Sequence, residues 1–235
     1  MSYYALVPAA GSGSRMGVAA SVPKQYLPLA GRPMIWHALA CLCRSTLITR
    51  VFVVLAPDDE FWPADEMTGL GPKLEIFHCG GASRAQTVTN GLRQMALMLG
   101  AIDNDWILVH DAARPCLEQS QVQSLISNVG EDDAGGILAL PVADTMKRAD
   151  TIEPPRIGAT LPREGMWLAQ TPQMFRYRVL LEALDFAPQV TDEASAIEAL
   201  GLRPRLVASD ITNLKVTYMR DLHLAELILL SRGNS

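Results

Sequence analysis

No apolar run in this chain approaches the ~18 residues that a membrane-crossing helix needs, and its first residues hold no basic segment followed by a hydrophobic one. The expectation is a soluble cytoplasmic protein with no membrane partner. An excess of positive charge is also lacking. Lys and Arg number 20 against 25 Asp and Glu, a formal net charge of −5, which argues against a nucleic-acid partner. An anionic ligand would need cations gathered locally. Cysteine is scarce, and Cys41, Cys43, Cys79 and Cys116 form no zinc-type CxxC pair. They read as reduced, mostly buried thiols of a cytosolic protein. His37, His78, His110 and His223 show no metal-ligand spacing. Charged residues are 19% and hydrophobic ones 49% of the 235 positions, which excludes disorder and suits one α/β domain.

What is present is an alternation of β-rich and helical runs. Strands are predicted at residues 3–8, 50–55, 74–79, 106–110 and 136–142. The run RVFVVL at 50–55 is apolar throughout, as a strand covered on both faces requires. Helices are predicted at 33–44, with a proline near the first turn, at 83–99, and near 119–128. Val88, Leu92, Met95 and Leu99 share one face of the second. This order predicts a mostly parallel sheet with right-handed crossovers. The pattern loosens from Asp144 to Thr171, around Pro154, Pro155 and Pro162, and reads as an arm or lid. Helical character returns at 191–200, where Thr191-Asp192-Glu193 offers an N-cap and an acidic first turn. A strand at 205–208 and a helix at 221–230 follow. With no repeat or linker, residues 1–235 are expected to form one domain, with an arm of roughly 141–171 inserted.

The first strand runs into PAAGSGSRMG, Pro8 to Gly17. A P-loop needs GK[ST] at its end, and Gly17 is followed by Val18-Ala19. A dinucleotide fingerprint needs a glycine where Met16 stands and an acid about 20 positions on, and residues 36–43 hold none. A wider loop remains, whose backbone N–H groups wrap a triphosphate while Arg15 and Lys24 add cations. The alternative is a tight turn without a ligand.

Beyond this loop come PKQYL (23–27), GRPM (31–34), GGASRAQTV (80–88), VHDAARP (109–115), PVADTMKR (141–148), QTPQMF (170–175), TDEASA (191–196) and NLKVT (213–217). In that order, over nearly the whole chain, they resemble the 2-C-methyl-D-erythritol 4-phosphate cytidylyltransferase family. The resemblance implies a Rossmann-like α/β fold of the nucleotide-diphospho-sugar transferase type, with an extended β-arm for dimerisation. It also implies transfer of the cytidylyl group of CTP to methylerythritol phosphate with release of pyrophosphate. The attacking phosphate is already anionic, so such a reaction rests on positioning and electrostatics.

Roles follow from the matched positions. Arg15 and Lys24 would stabilise the transition state, and Arg163 and Lys215 would position the sugar phosphate. Pro8, Ala9, Ala10, Gly11, Ser12, Gly13 and Ser14, with Gly81, Ala82, Thr87 and Ala112, would hold the nucleotide. Some relatives carry an acid where Ala82 stands, so a backbone contact to the base is expected there. Arg114, Thr145, Thr171 and Thr191 would meet the substrate. Asp111, at a strand's carboxyl end, would hold Mg²⁺, or else cap the next turn. Asp210 and Asn213 are candidates for a second ligand, Asn213 lying in the matched motif. The arm would cross to a second subunit of a homodimer, or else be a surface loop. A cytidylyltransferase for another polyol phosphate, such as ribitol 5-phosphate, a nicotinamide-dependent oxidoreductase and a non-catalytic nucleotide sensor are the rival readings.

Overall fold

Side chains of the first strand, β1 (Tyr3–Pro8), divide between two cores. Ala5 and Val7 face one, Tyr4 and Leu6 the other, as the two-residue period of a strand dictates. The computed structural model of the chain describes residues 1–11, 22–100 and 102–233. After β1 come β2 (Pro28–Leu29), β3 (Arg32–Pro33), α1 (Met34–Arg44), β4 (Arg50–Leu55), β5 (Leu74–His78), α2 (Arg84–Leu99) and β6 (Trp106–Val109). Then follow α3 (Gln119–Val129), β7 (Gly136–Pro141), β8 (Met146–Ile152), β9 (Pro155–Leu161) and β10 (Trp167–Arg176). The chain ends with α4 (Tyr177–Phe186), α5 (Glu193–Ala199), β11 (Arg205–Ala208) and α6 (Met219–Gly233).

The main sheet has seven strands in the order β11-β7-β10-β6-β1-β4-β5. Its neighbours pair in parallel except around β10, which runs against both β6 and β7. The inner parallel strands β1, β4 and β6 are buried on both faces, which is why RVFVVL carries no alternation. Residues of α1 and α3 join the core beneath one face, and those of α2, α4 and α5 the core beneath the other. Each Val, Leu or Ile fully withdrawn from water there contributes about 1.5–3 kcal/mol. Helix α6 packs Ala225 with Met34 and Val216 in a smaller cluster.

The chain proceeds from β1 outward through β4 to β5, then returns to β6 on the other side of β1. That reversal opens a crevice beyond the carboxyl ends of β1 and β6, where open α/β sheets take ligands.

β10 and α4 are among the elements that were not expected. β10 carries Gln170, Thr171, Pro172 and Gln173, too polar and proline-marked to read as an interior strand. It sits in the sheet because its register against β7 shifts between Ala169 and Gln173, a bulge that absorbs the proline. Helix α4 follows at once and buries Leu180, Ala183 and Leu184 on one face. The loose segment is ordered as well: β8 and β9 pair antiparallel into a two-stranded hairpin outside the main sheet. Among the described residues no helix is long and apolar enough to cross a membrane.

Candidate active site

The crevice is a cleft of about 420 Å³. Pro8, Ala9, Ala10 and Gly11 line it from the end of β1, Ala112 and Asp111 from the end of β6, and Gly81, Ala82 and Thr87 from the turn into α2. Lys24 and Lys215 complete a basic wall with Arg84. The expected nucleotide-side residues at these positions are therefore gathered in one place. Ser12, Gly13, Ser14 and Arg15 lie outside the described residues.

Local chemistry fixes each wall. Ala9 N–H donates to the Val54 carbonyl at 2.8 Å, and the Gln25 side-chain amide to the Ala9 carbonyl at 2.8 Å. These tie the start of the glycine loop to β4 and to the short helix Lys24–Tyr26. Gly80 is where the two loops touch. A Cβ there would stand 2.3 Å from Ala10 Cβ and 2.8 Å from the Leu55 carbonyl oxygen, so only glycine fits. Beyond it, Ser83 caps α2 by accepting from Gln86 N–H at 3.1 Å. The Gly81 N–H donates to the Thr87 hydroxyl at 3.0 Å, and the Ala82 N–H to Gln86 Oε1 at 2.9 Å. Both amides of the expected base-reading turn are thus engaged by side chains of α2, and a base would have to use the carbonyls or exchange these bonds.

At the floor, Asp111 Oδ1 accepts from Arg84 Nε at 2.9 Å and Oδ2 from Lys215 Nζ at 2.6 Å. The other edge of Arg84 forks onto Glu193, NH1 to Oε1 at 2.6 Å and NH2 to Oε2 at 3.0 Å. Glu193 is completely buried. Burial would push the Asp111 carboxyl up, but Arg84 and Lys215 outweigh it and hold it well below the usual carboxylate range. Burial likewise opposes the Arg84 charge, and Glu193 with Asp111 holds it above its ordinary value. Arg84 and Glu193 lie inside motifs quoted above, yet no role was expected of them. Their spacing of 109 residues hides the pairing, and only a buried acid at a helix start hints at it.

Arg114, Thr171 and Asn213, expected to meet the substrate or the metal, are buried and do not line the described wall of the cleft. Arg114 is buried, donating to the Asn213 carbonyl at 2.6 Å and the Ala169 carbonyl at 3.2 Å. Burial pushes its guanidinium below the ordinary value. The Thr171 hydroxyl accepts from the Asp111 N–H at 3.0 Å and lies 3.0 Å from His110 Nδ1. His110 Nε2 faces the Arg114 carbonyl at 3.1 Å, an atom that only accepts, so Nε2 carries the proton and Nδ1 accepts from Thr171. Burial holds this imidazole at about 4, neutral near pH 7. Asn213 donates to the Thr171 carbonyl at 2.8 Å and to Gln170 Oε1 at 3.2 Å, while its own buried Oδ1 has no partner among the described residues. Asp210 is taken up by Thr212, at 2.7 Å from its N–H, and by Gln121 at 3.2 Å.

Thr145, Arg163 and Thr191 are exposed and do not line the cleft of their own chain. Arg163 donates to the Ala143 carbonyl across the base of the arm. The cap of α5 is Asp192, accepting from Ser195 N–H at 3.1 Å, and not Thr191.

Among the described residues no group of three or more His, Cys, Asp or Glu side chains could hold a metal. Asp111 is the one carboxylate on the described wall. A single carboxylate fits a magnesium ion that brings most of its oxygens with a triphosphate and water, and does not fit a metal caged by protein alone.

Comparison with known proteins gives one consistent result. Residues 3–231 match the family profile described as IspD, 2-C-methyl-D-erythritol 4-phosphate cytidylyltransferase. A protein of that name from Dechloromonas aromatica (strain RCB) is 60% identical over 230 residues, covering 98% of each chain. Another, from Nitrosospira multiformis, is 57% identical over 97% of each. The crystal structure of a 4-diphosphocytidyl-2C-methyl-D-erythritol synthase superposes with a TM-score of 0.84 at 40% identity, covering 97% of this chain and 98% of the other.

Proposed function

This chain belongs to the 2-C-methyl-D-erythritol 4-phosphate cytidylyltransferase family, and on that premise we propose that it joins CTP to 2-C-methyl-D-erythritol 4-phosphate. The products are 4-diphosphocytidyl-2-C-methyl-D-erythritol and pyrophosphate. A phosphate oxygen of the polyol attacks the α-phosphorus of CTP, a new P–O bond forms, and the bond to the β-phosphate oxygen breaks. The observation that carries this reading is the cleft itself: Lys24, Arg84 and Lys215 meet the end of the glycine loop and the start of α2 around one carboxylate. Two polyanions can be held together only where cations and backbone dipoles outweigh their repulsion.

Each residue then takes a part. Ala10, Gly11 and the loop beyond them cradle the triphosphate, and Arg15 with Lys24 stabilises charge on the α-phosphoryl oxygens and the departing pyrophosphate. The Lys24 ammonium donates to the Val216 carbonyl at 3.0 Å, beside Lys215 in the chain. Gly81, Ala82, Thr87 and Ala112 form the nucleoside side. Lys215 takes the polyol phosphate. Arg114, Thr171 and Asn213 hold the floor. Asp111 would hold Mg²⁺, which would supply neutralisation of phosphate charge.

The protein works as a homodimer in this proposal. The hairpin of β8 and β9 leaves Ile152 95% and Ile157 68% exposed, apolar side chains that a second subunit would cover. Arg163 and Thr145, at the base of the arm, would then serve the partner's cleft, with Thr191 facing the substrate from the mouth.

Pyrophosphate release across the nucleoside triphosphates and several polyol phosphates, with and without Mg²⁺, tests the reading. CTP with methylerythritol phosphate is expected to be the best pair and to require the metal. Absence of a CDP-linked alcohol would overturn the proposal, and a preference for ribitol 5-phosphate would replace its substrate.

A further inference from the structure

We infer that Arg84 and Glu193 are positioning residues: Glu193 clamps Arg84 so that Arg84 keeps Asp111 paired when Lys215 leaves that carboxylate for the incoming polyol phosphate. The inference rests on the reaction proposed above. It begins with a charge problem. The Asp111 side chain is only 9% exposed, whereas Lys215 is 38% exposed and reaches it from the rim. Lys215 cannot bond a substrate phosphate fully while it neutralises Asp111. Taking it away from a buried carboxylate would be strongly unfavourable unless a second protein cation already held that carboxylate before the magnesium ion of the proposed reaction arrives.

Arg84 removes that obstacle because its geometry is fixed from the other side. A guanidinium is a planar fork, and each of its terminal nitrogens donates to the Glu193 carboxylate, at 2.6 and 3.0 Å. What remains facing the cleft is the Nε edge, which lies 2.9 Å from Asp111 Oδ1. Arg84 therefore stays with Asp111 rather than swinging toward a phosphate. Lys215 holds the other oxygen, Oδ2, and can depart without stranding a charge.

Glu193 is itself held. It opens α5 just after the cap Asp192, whose Oδ2 accepts from the Gln173 side-chain amide at 2.9 Å. Ala194 N–H in turn donates to Gln173 Oε1 at 2.8 Å. The reversed strand β10 thus fixes the start of α5, which fixes Arg84 at the start of α2, which fixes the carboxylate at the end of β6.

The test is steady-state kinetics of Arg84→Lys, Glu193→Gln and the double variant, each substrate varied in turn, beside the wild-type chain. Lysine cannot bond Glu193 with a fork and Asp111 at once. Both single variants are expected to raise KM for methylerythritol phosphate by about tenfold or more while KM for CTP stays within about twofold. The double variant should be little worse than either single one, because the pair acts as a unit. Equal rises in both KM values, an unchanged polyol KM, or fully additive losses would overturn the inference. Melting curves beside the kinetics identify a variant that does not fold; should Glu193→Gln be one, Arg84→Lys decides alone. Wild-type turnover separates the two claims. A wild-type chain that makes no CDP-alcohol sinks the functional reading and this inference with it, whereas an active wild type with unaffected variants sinks only the inference.

Discussion

Lys215 Nζ donates to Asp111 Oδ2 at 2.6 Å, joining the end of β6 to the segment that leads into α6 across 104 residues of chain. Each oxygen of this carboxylate already accepts from one cation, Oδ1 from Arg84 and Oδ2 from Lys215. The cleft therefore rests as a closed network, and substrate binding must exchange bonds within it.

Lys215→Ala should lower kcat/KM for methylerythritol phosphate by about 10²–10³, the usual effect of removing one preorganised donor. Asp111 keeps Arg84, so the variant should still fold. Initial rates at limiting polyol phosphate, beside a melting curve, check both statements, and wild-type efficiency would remove Lys215 from the chemistry.

Gly80→Ala should separate the two loops that line the nucleotide side. Its new methyl would meet Ala10 Cβ and the Leu55 carbonyl, neither of which is a flexible side-chain tip. A cost of roughly 1–3 kcal/mol is expected in denaturant titration, with KM for CTP rising more than KM for the polyol phosphate.

Stability should fall on acidification between about pH 6.5 and 4. The buried His110 imidazole is held neutral to about 4, so between the unfolded value and that figure only the unfolded chain takes up the proton. This stability is fully present above pH 6.5 and declines as pH falls, by roughly 3 kcal/mol in all. The depressed Asp111 carboxyl acts in the same sense at lower pH still. Urea unfolding from pH 7.5 to 4.5 measures it. In His110→Gln, if folded, the decline in this window should flatten.

Ser83→Ala removes the cap of α2 and should cost about 1 kcal/mol, a drop of roughly 2–4 °C in Tm for a chain of this size. Calorimetry reads the shift. An unchanged Tm would show that the bonds of Gln86 and Thr87 hold the turn without the cap.

Mixing Arg163→Ala protein with Lys215→Ala protein should restore activity that neither parent has. If Arg163 serves the neighbouring cleft, half of randomly mixed dimers pair unlike chains and each repairs one of its two sites. About a quarter of wild-type turnover is then expected. No recovery after exchange of subunits would place Arg163 outside the partner's site.

Much of the scaffold was legible before any coordinates. The strands at 50–55 and 205–208 begin and end where the apolar patterns do, and α1 and α2 differ by a residue from the expected ranges because Pro33 and Ser83 are their caps. Those signals are local, carried by side-chain period and by capping chemistry. The gathering of glycine loop, Lys24, Asp111 and Lys215 was legible for another reason: each stands in a short motif whose order along the chain matches the family. β10 was illegible because its polar and proline residues are tolerated only by a bulge against β7, a partner the linear pattern does not name.

What the sequence by itself determined, then, is the α/β class and the family. The tertiary structure alone decided which charges neutralise one another. Arg84, Asp111, Glu193 and Lys215 are scattered over 131 residues of chain, and nothing local distinguishes a paired arginine from a solvated one. It alone buried Arg114, Thr171 and Asn213 against one another. The reason is physical: period and propensity act over a few residues, whereas the partner of a buried charge is chosen by the packing of strands and helices far apart in sequence.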